Sequence, residues 1–282
     1  MDFSISLFFF VLVLVISCNK INFLVEHLKD IKMKGRVFII ASFGDRQKQI
    51  QRLLKNIRSF VDYPIHIITT KDSNLGHVEK SRRIYKMYVN RKWPKGSYRE
   101  GIRNSNYFKV FKALEYDTSV CLLDDDMLIV NKHFVDGFDI AERFGAAVPL
   151  NPRVYVKYNM MGADVQQKDL DELRLMVAPL YAPACNFSPF FVYPRIENAK
   201  IFLMTLLDEL LSNVCRGTLA IWKASWRSGF CPVYLPEQYC VCGSNAEHIK
   251  NYTKFLHGEN VRIEPMILHL GHKKVRGVFG IE

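Results

Sequence analysis

Three consecutive aspartates, Asp124-Asp125-Asp126, follow directly on the apolar residues Val120-Cys121-Leu122-Leu123, and Met127-Leu128-Ile129-Val130 then resumes the apolar run. Ionised carboxylates at the mouth of a buried strand repel one another and lose hydration unless a cation answers them. In open α/β sheets the carboxyl ends of strands are where ligands sit. Hard divalent cations take oxygen ligands, and Mg²⁺ or Mn²⁺ commonly joins one or two carboxylates to substrate phosphates. Along an extended chain Asp124 and Asp126 point to the same side. One would ligate a metal directly, and the other would reach a nucleotide's ribose, or the metal through water. Asp125 is expected to face away and hold the loop by hydrogen bonds. The plain alternative is a solvated acidic turn.

A second cluster lies near the C-terminus, Leu268-His269-Leu270-Gly271-His272-Lys273-Lys274. A lone histidine is more often a satisfied structural residue than a ligand. Two of them beside two lysines, in a chain with an aspartate triplet, make His269 or His272 a candidate third metal ligand. Trp222 and Trp226, four apart, share one helix face; packing is the plainer reading of them, a sugar-stacking platform the sharper one.

These residues need elements to position them. Arg36-Val37-Phe38-Ile39-Ile40-Ala41-Ser42-Phe43-Gly44 is a continuous apolar run ending in small residues, the pattern of a strand buried on both faces that opens into a loop. Asp45 is a candidate cap for the helix that follows, in which Ile50, Leu53, Leu54 and Ile57 recur at helical spacing. Pro64 introduces a second strand, Ile65 to Thr70, completing a βαβ unit. Lys71 to Lys95 is polar and basic, read as helix plus loop. A helix from about Ile102 to Tyr116 leads into the strand before the aspartates. Further strands are expected at Ala146–Leu150 and Phe190–Tyr193, then an amphipathic helix through Phe202, Leu206, Leu207, Leu210 and Leu211. The sum is a single α/β domain over residues 36–282 with a mainly parallel central sheet.

Composition narrows the class. The 282 residues are 49% hydrophobic and 13% aromatic, enough for a sizeable core and unlike a disordered or fibrous chain. The net charge of +11 suits an anionic partner: nucleic acid, an acidic membrane surface or a phosphorylated small molecule. Arg46, Lys48, Arg52, Lys80, Arg82, Arg83, Arg91 and Lys92 concentrate in the first half. No zinc-finger spacing or basic zipper accompanies them, which argues against nucleic acid. Seven scattered cysteines signal neither a disulfide framework nor a zinc site, with Cys185, Cys215, Cys231, Cys240 and Cys242 the candidates for a bridge or two. Phe3 to Cys18 is almost wholly apolar, so residues 1–19 read as a hydrophobic signal or anchor segment and 20–35 as a basic linker. The basic residues that follow favour a cytosolic domain by the positive-inside rule. Asn251-Tyr252-Thr253, a glycosylation acceptor pattern, would suit the Golgi or ER lumen, and the side is left open.

At these residues the chain resembles retaining glycosyltransferases of the GT-A (Rossmann-like) fold, most nearly the glycogenin-like and lipopolysaccharide galactosyltransferase-like group. Tyr107-Phe108-Lys109-Val110-Phe111-Lys112-Ala113-Leu114-Glu115-Tyr116 with the strand and triplet after it is similar to that group's lysine-bearing helix and DxD motif. The resemblance puts Lys109 at the conserved lysine, with Arg103 as an alternative cation near the diphosphate. Cys185-Asn186-Phe187-Ser188-Pro189-Phe190-Phe191-Val192-Tyr193 looks like the group's Asn-Ser-Gly strand, with Pro189 in place of glycine. Glu237-Gln238 resembles the Asp-Gln pair below the sugar. The His269–Lys274 segment resembles the group's HxxGxxK, at altered spacing.

What this implies is a hexosyltransferase that moves a sugar from a nucleotide-sugar, with uridine diphosphate the expected nucleotide, to a glycan, protein or lipid acceptor. Asp124, Asp126 and His269 or His272 would hold Mn²⁺ or Mg²⁺. Ser42 and Asp72 would contact the nucleotide with Asp124, Asp125 and Asn186, while Lys109 and Lys273 would meet the diphosphate. Glu237 or Gln238 would steady the oxocarbenium-like transition state, with the anomeric configuration retained. The alternatives are a nucleotidyltransferase, an inactive membrane-anchored binding protein of the same fold, and a basic nucleic-acid binding module.

Overall fold

The computed structural model describes residues 35–76, 83–89, 98–154, 183–212, 217–243, 245–256 and 264–281. The 1–19 segment and most of the linker lie outside these residues, and no helix among the described residues is long and apolar enough to cross a membrane. Everything described falls in one unit, residues 35–282.

Strand β1 (Val37–Ala41) is buried at every position, because it has parallel partners on both edges and packing on both faces. Its neighbours are β2 (Ile65–Thr69) and β4 (Val120–Asp124), in register so that Ala41 lies beside Asp124. A strand without a solvent face has no need of polar alternation, which is why it reads as an unbroken apolar run. Helix α1 (Gln47–Arg58) packs Ile50, Leu53, Leu54 and Ile57 inward. Its cap position belongs to Arg46, with no side-chain cap; Asp45 instead accepts from Asn74 Nδ2 at 3.1 Å. Within the basic stretch expected to be helix and loop, β3 (Ile84–Tyr88) is a parallel edge strand on β2. Its Tyr85 and Tyr88 are exposed, so the apolar signal of a buried strand is missing.

Helix α2 (Tyr98–Ala113) leads into β4, and the triplet then joins β4 to β5 (Met127–Ile129). A short 3₁₀ turn (Lys132–Val135) and α3 (Asp136–Phe144) precede β6 (Ala146–Val154). After β7 (Pro183–Cys185) and β8 (Phe190–Val192) come the helices α4 (Glu197–Ser212) and α5 (Gly217–Ser228). The last elements are β9 (Val233–Leu235), a 3₁₀ turn (Glu237–Tyr239), β10 (Cys240–Val241), α6 (Ala246–Leu256), β11 (Ile267–His269) and α7 (Lys273–Phe279).

The strands form two sheets. The larger runs β3-β2-β1-β4-β8-β6-β7, with β9 also paired to β6; the smaller is β10-β11-β5. The large sheet is mixed, which corrects the mainly parallel expectation. The block from β3 to β4 is parallel, but β8 is antiparallel to both β4 and β6, and β7 is antiparallel to β6. Strand direction depends on how connections run, and hydrophobic pattern does not encode it. Phe38 anchors one core layer, its ring 6.1 Å from Tyr63, 6.0 Å from Phe134 and 5.5 Å from Phe138.

Candidate metal and nucleotide site

The triplet occupies the junction of the two sheets. Asp124 ends β4, Met127 begins β5, and β5 pairs antiparallel with β11 so that Met127 lies opposite His269. This register brings a histidine from the far end of the chain against the aspartates, and the Leu270 amide donates to Asp126 O at 2.9 Å to fix it there.

Each aspartate has a different surrounding. Asp124 accepts from Lys109 Nζ at 2.5 Å, and its own amide donates to Ser188 Oγ at 2.8 Å. Lys109 is fully buried, its ammonium also 5.3 Å from the Phe187 ring centre, so the carboxylate is what makes that burial tolerable. Asp125 turns toward β1, where Ser42 Oγ donates to Oδ2 at 2.6 Å and Arg46 Nε stands 3.8 Å from the same oxygen. Burial pushes its carboxyl up to about 6, against the pull of the Ser42 hydrogen bond and the Arg46 charge.

Asp126 turns toward the small sheet. Its Oδ1 is 3.2 Å from His269 Nε2, an ion-pair distance, and this buried oxygen receives no hydrogen bond of normal geometry. Burial, the largest single influence, would raise this carboxyl, but His269, then the Arg46 charge and a backbone hydrogen bond, together bring the net direction down. For His269 burial lowers and Asp126 then Asp124 raise, with a net upward shift. Both directions describe an ion pair. Gly271 makes the arrangement possible, since a Cβ there would come within 2.2 Å of Asp126 Oδ2.

One ligand atom each from Asp124, Asp126 and His269 lie within 4.8 Å of one another, and among the described residues this is the group that could hold a metal ion. Two carboxylates with one imidazole suit Mn²⁺ or Mg²⁺. A buried carboxylate oxygen without a donor is what a site of this kind would leave for a cation. Of the two candidate histidines, His269 is the one in the group; His272 stands with its ring edge-on to it at 4.6 Å and starts α7 as its cap residue.

The other candidates are distributed around this junction. Ser42 directly follows β1 and is buried. Asp72 lies exposed in the turn after β2, its carboxyl held low by a hydrogen bond from Thr70. Asn186, between β7 and β8, donates from its amide nitrogen to Cys240 O at 3.4 Å. Glu237 and Gln238 form the 3₁₀ turn that feeds β10, the strand beside β11. Lys273 is exposed at the start of α7, and its neighbour Lys274 pairs with Glu247 at 2.7 Å. Arg103 lies on α2, with its side chain outside the described residues.

Three contributors carried no signal in their local sequence. His248 on α6 reaches Glu237 Oε1 with Nε2 at 3.1 Å. Asn245, fully buried, accepts from the Cys242 amide at 2.7 Å and donates to Glu237 O at 3.0 Å, clamping the turn. Arg46 looked like one more member of a basic surface. Its place directly after the small-residue end of β1 was the available clue.

No known protein-family profile matches the chain, and neither does any curated protein sequence. Solved structures do match. The apo structure of the WbbM bifunctional glycosyltransferase aligns over 86% of this chain and 47% of its own length, with a TM-score of 0.57 and 14% identity. This chain thus spans about half of that protein. The galactosyltransferase LgtC, solved with donor and acceptor sugar analogues, aligns over 86% of this chain and 94% of its own, with a TM-score of 0.55 and 11% identity. An active-site glutamine-to-glutamate mutant of LgtC gives 0.53 at 12% identity, over 83% of this chain and 86% of its own. The fold is therefore GT-A-like, as the sequence motifs led one to expect.

Proposed function

We propose that the chain is a metal-dependent glycosyltransferase, moving a hexose from a nucleotide-sugar to a glycan, protein or lipid acceptor. The observation that carries this is the Asp124–Asp126–His269 group, whose buried Asp126 oxygen faces His269 without a hydrogen bond, at the strand ends of a GT-A-like fold. A divalent ion held by those three residues would supply Lewis-acid stabilisation of charge on the departing nucleoside diphosphate.

The chain's own residues do the rest. Lys109 neutralises Asp124 from within the core, which keeps two adjacent carboxylates from repelling each other out of position. Ser42 holds Asp125 against β1, fixing the backbone between the two ligand residues. Lys273, exposed beside His272, is the candidate cation for the diphosphate from the α7 side. Glu237 and Gln238, on the clamped turn, are the candidates to steady the sugar in the transition state; a retained configuration and uridine diphosphate follow from the family resemblance. Membrane attachment through residues 1–19 belongs to the same proposal.

The test is release of nucleoside diphosphate from a panel of nucleotide-sugars, with Mn²⁺, with Mg²⁺ and with chelator. Metal-dependent release from one donor is the expected result. A folded sample that neither releases nor binds any nucleotide would instead favour an inactive binding protein.

A further inference from the structure

We propose that Arg46 is the contact for the donor's phosphate on the β1 side of the site, its guanidinium held ready for an anionic oxygen. This rests on the reading of the site as one that takes a nucleotide-sugar.

Among the described residues, two lysine or arginine side chains make ion pairs with the triplet, and they differ in what they have left to offer. Lys109 is fully buried and committed to Asp124. Arg46 has a side chain 40% exposed, and its nearest anion, Asp125 Oδ2, is 3.8 Å away, too far for a hydrogen bond. Asp125 does not depend on Arg46 for a donor, because the Ser42 hydroxyl already supplies one at 2.6 Å. Among the described residues no hydrogen bond is made by the guanidinium, which carries five N–H donors in a planar fork suited to phosphate oxygens.

The backbone beneath Arg46 is fixed. Its amide donates to Asn74 O at 3.1 Å, the Asn74 amide donates to Gly44 O at 2.9 Å, and the Gly44 amide donates to Ser73 Oγ at 3.0 Å. The loop after β1 is thereby laced to the loop after β2. Ordering a long side chain on ligand binding costs less when its backbone is already held. Arg46 Nε stands 3.8 Å from Asp125, the residue between Asp124 and Asp126, so its charge lies beside the group that would hold the metal.

The experiment is calorimetric titration of wild type, Arg46→Ala and Arg46→Gln, in Mn²⁺, with UDP against uridine and GDP against guanosine. Thermal melting of each variant checks the fold. The expected result is that both variants melt with the wild type, bind the diphosphate about tenfold more weakly, and bind the matching nucleoside unchanged. Equal losses for nucleoside and diphosphate would assign Arg46 to base or ribose and overturn the proposal; so would no loss at all. If the wild type binds neither diphosphate, the glycosyltransferase reading falls first and this one with it.

Discussion

The two sides of the aspartate triplet are built on opposite plans. On the large-sheet side, Asp125 meets Ser42, just past β1, in a short hydrogen bond and is closed off from solvent. On the small-sheet side, Asp126 meets His269 of β11 and keeps a buried oxygen that receives no hydrogen bond. Adjacent residues of identical chemistry thus end in one hydrogen-bonded environment and one answered by charge alone. Leaving a buried acceptor without a donor costs roughly 1–3 kcal/mol, so the fold bears that cost on one side only. The hydrogen-bonded side positions the loop, and the other side is where the proposed function puts the cation.

The largest effect should come from breaking the unsatisfied side. Asp126→Ala removes one of three ligand atoms while its backbone carbonyl still holds Leu270, so the fold should persist and turnover should drop about a thousandfold. The check is metal-dependent diphosphate release beside a thermal melt; a folded and active variant would sink the metal role. Gly271→Ala comes next. It removes no ligand residue but sets a methyl against Asp126 Oδ2, so that this carboxylate must shift. Mn²⁺ affinity, titrated directly, should weaken about 10–100-fold, the range for disturbed support of a metal ligand. Unchanged affinity would mean that Asp126 does not need its present position.

How far the sequence announced this contrast follows from where each signal is stored. The triplet after a buried strand and the alternation of its side chains were legible, because strand periodicity is local. So were the inward faces of α1 and the buried strands β1 and β4. The partners of the triplet are set by sheet register between residues far apart, and so lay out of reach. Nothing in His269-Leu270-Gly271-His272 says which histidine faces Met127, and nothing around Arg46 says that Asp125 will turn toward it. Strand β3 was missed because an exposed edge strand tolerates Tyr, Lys and Met without alternation. The antiparallel half of the large sheet was missed because topology, not composition, sets strand direction.

The large-sheet side should also differ in its response to acid. His66 on β2 is buried, its Nε2 lacks a hydrogen-bond partner, and its ring stacks 4.7 Å from Tyr85. Burial first, and the Lys112 charge second, lower its pKa from 6.5 to about 4. A depressed histidine favours the fold above its unfolded value, and that stability is lost as pH falls from about 6.5 through about 4, on the order of 3 kcal/mol in all. His66→Phe keeps the ring stack and removes the proton site. Denaturant unfolding of wild type and variant across this window should show a steeper acid loss in the wild type. Parallel curves would refute the assignment.

The smallest expected effect sharpens the contrast most directly. Ser42→Ala takes away the hydroxyl that donates to Asp125 Oδ2 and leaves a buried carboxylate with Arg46 at 3.8 Å as its nearest charge. The loss should be about 1–3 kcal/mol of stability, from an acceptor left unsatisfied in the core. Because Asp125 is not among the three metal-facing groups, Mn²⁺ affinity should change far less than it does in Gly271→Ala. If Ser42→Ala instead weakens Mn²⁺ binding as much as Gly271→Ala while leaving the melt untouched, the two sides of the triplet are one site. The division between a fixed side and a ligand side would then have to be given up.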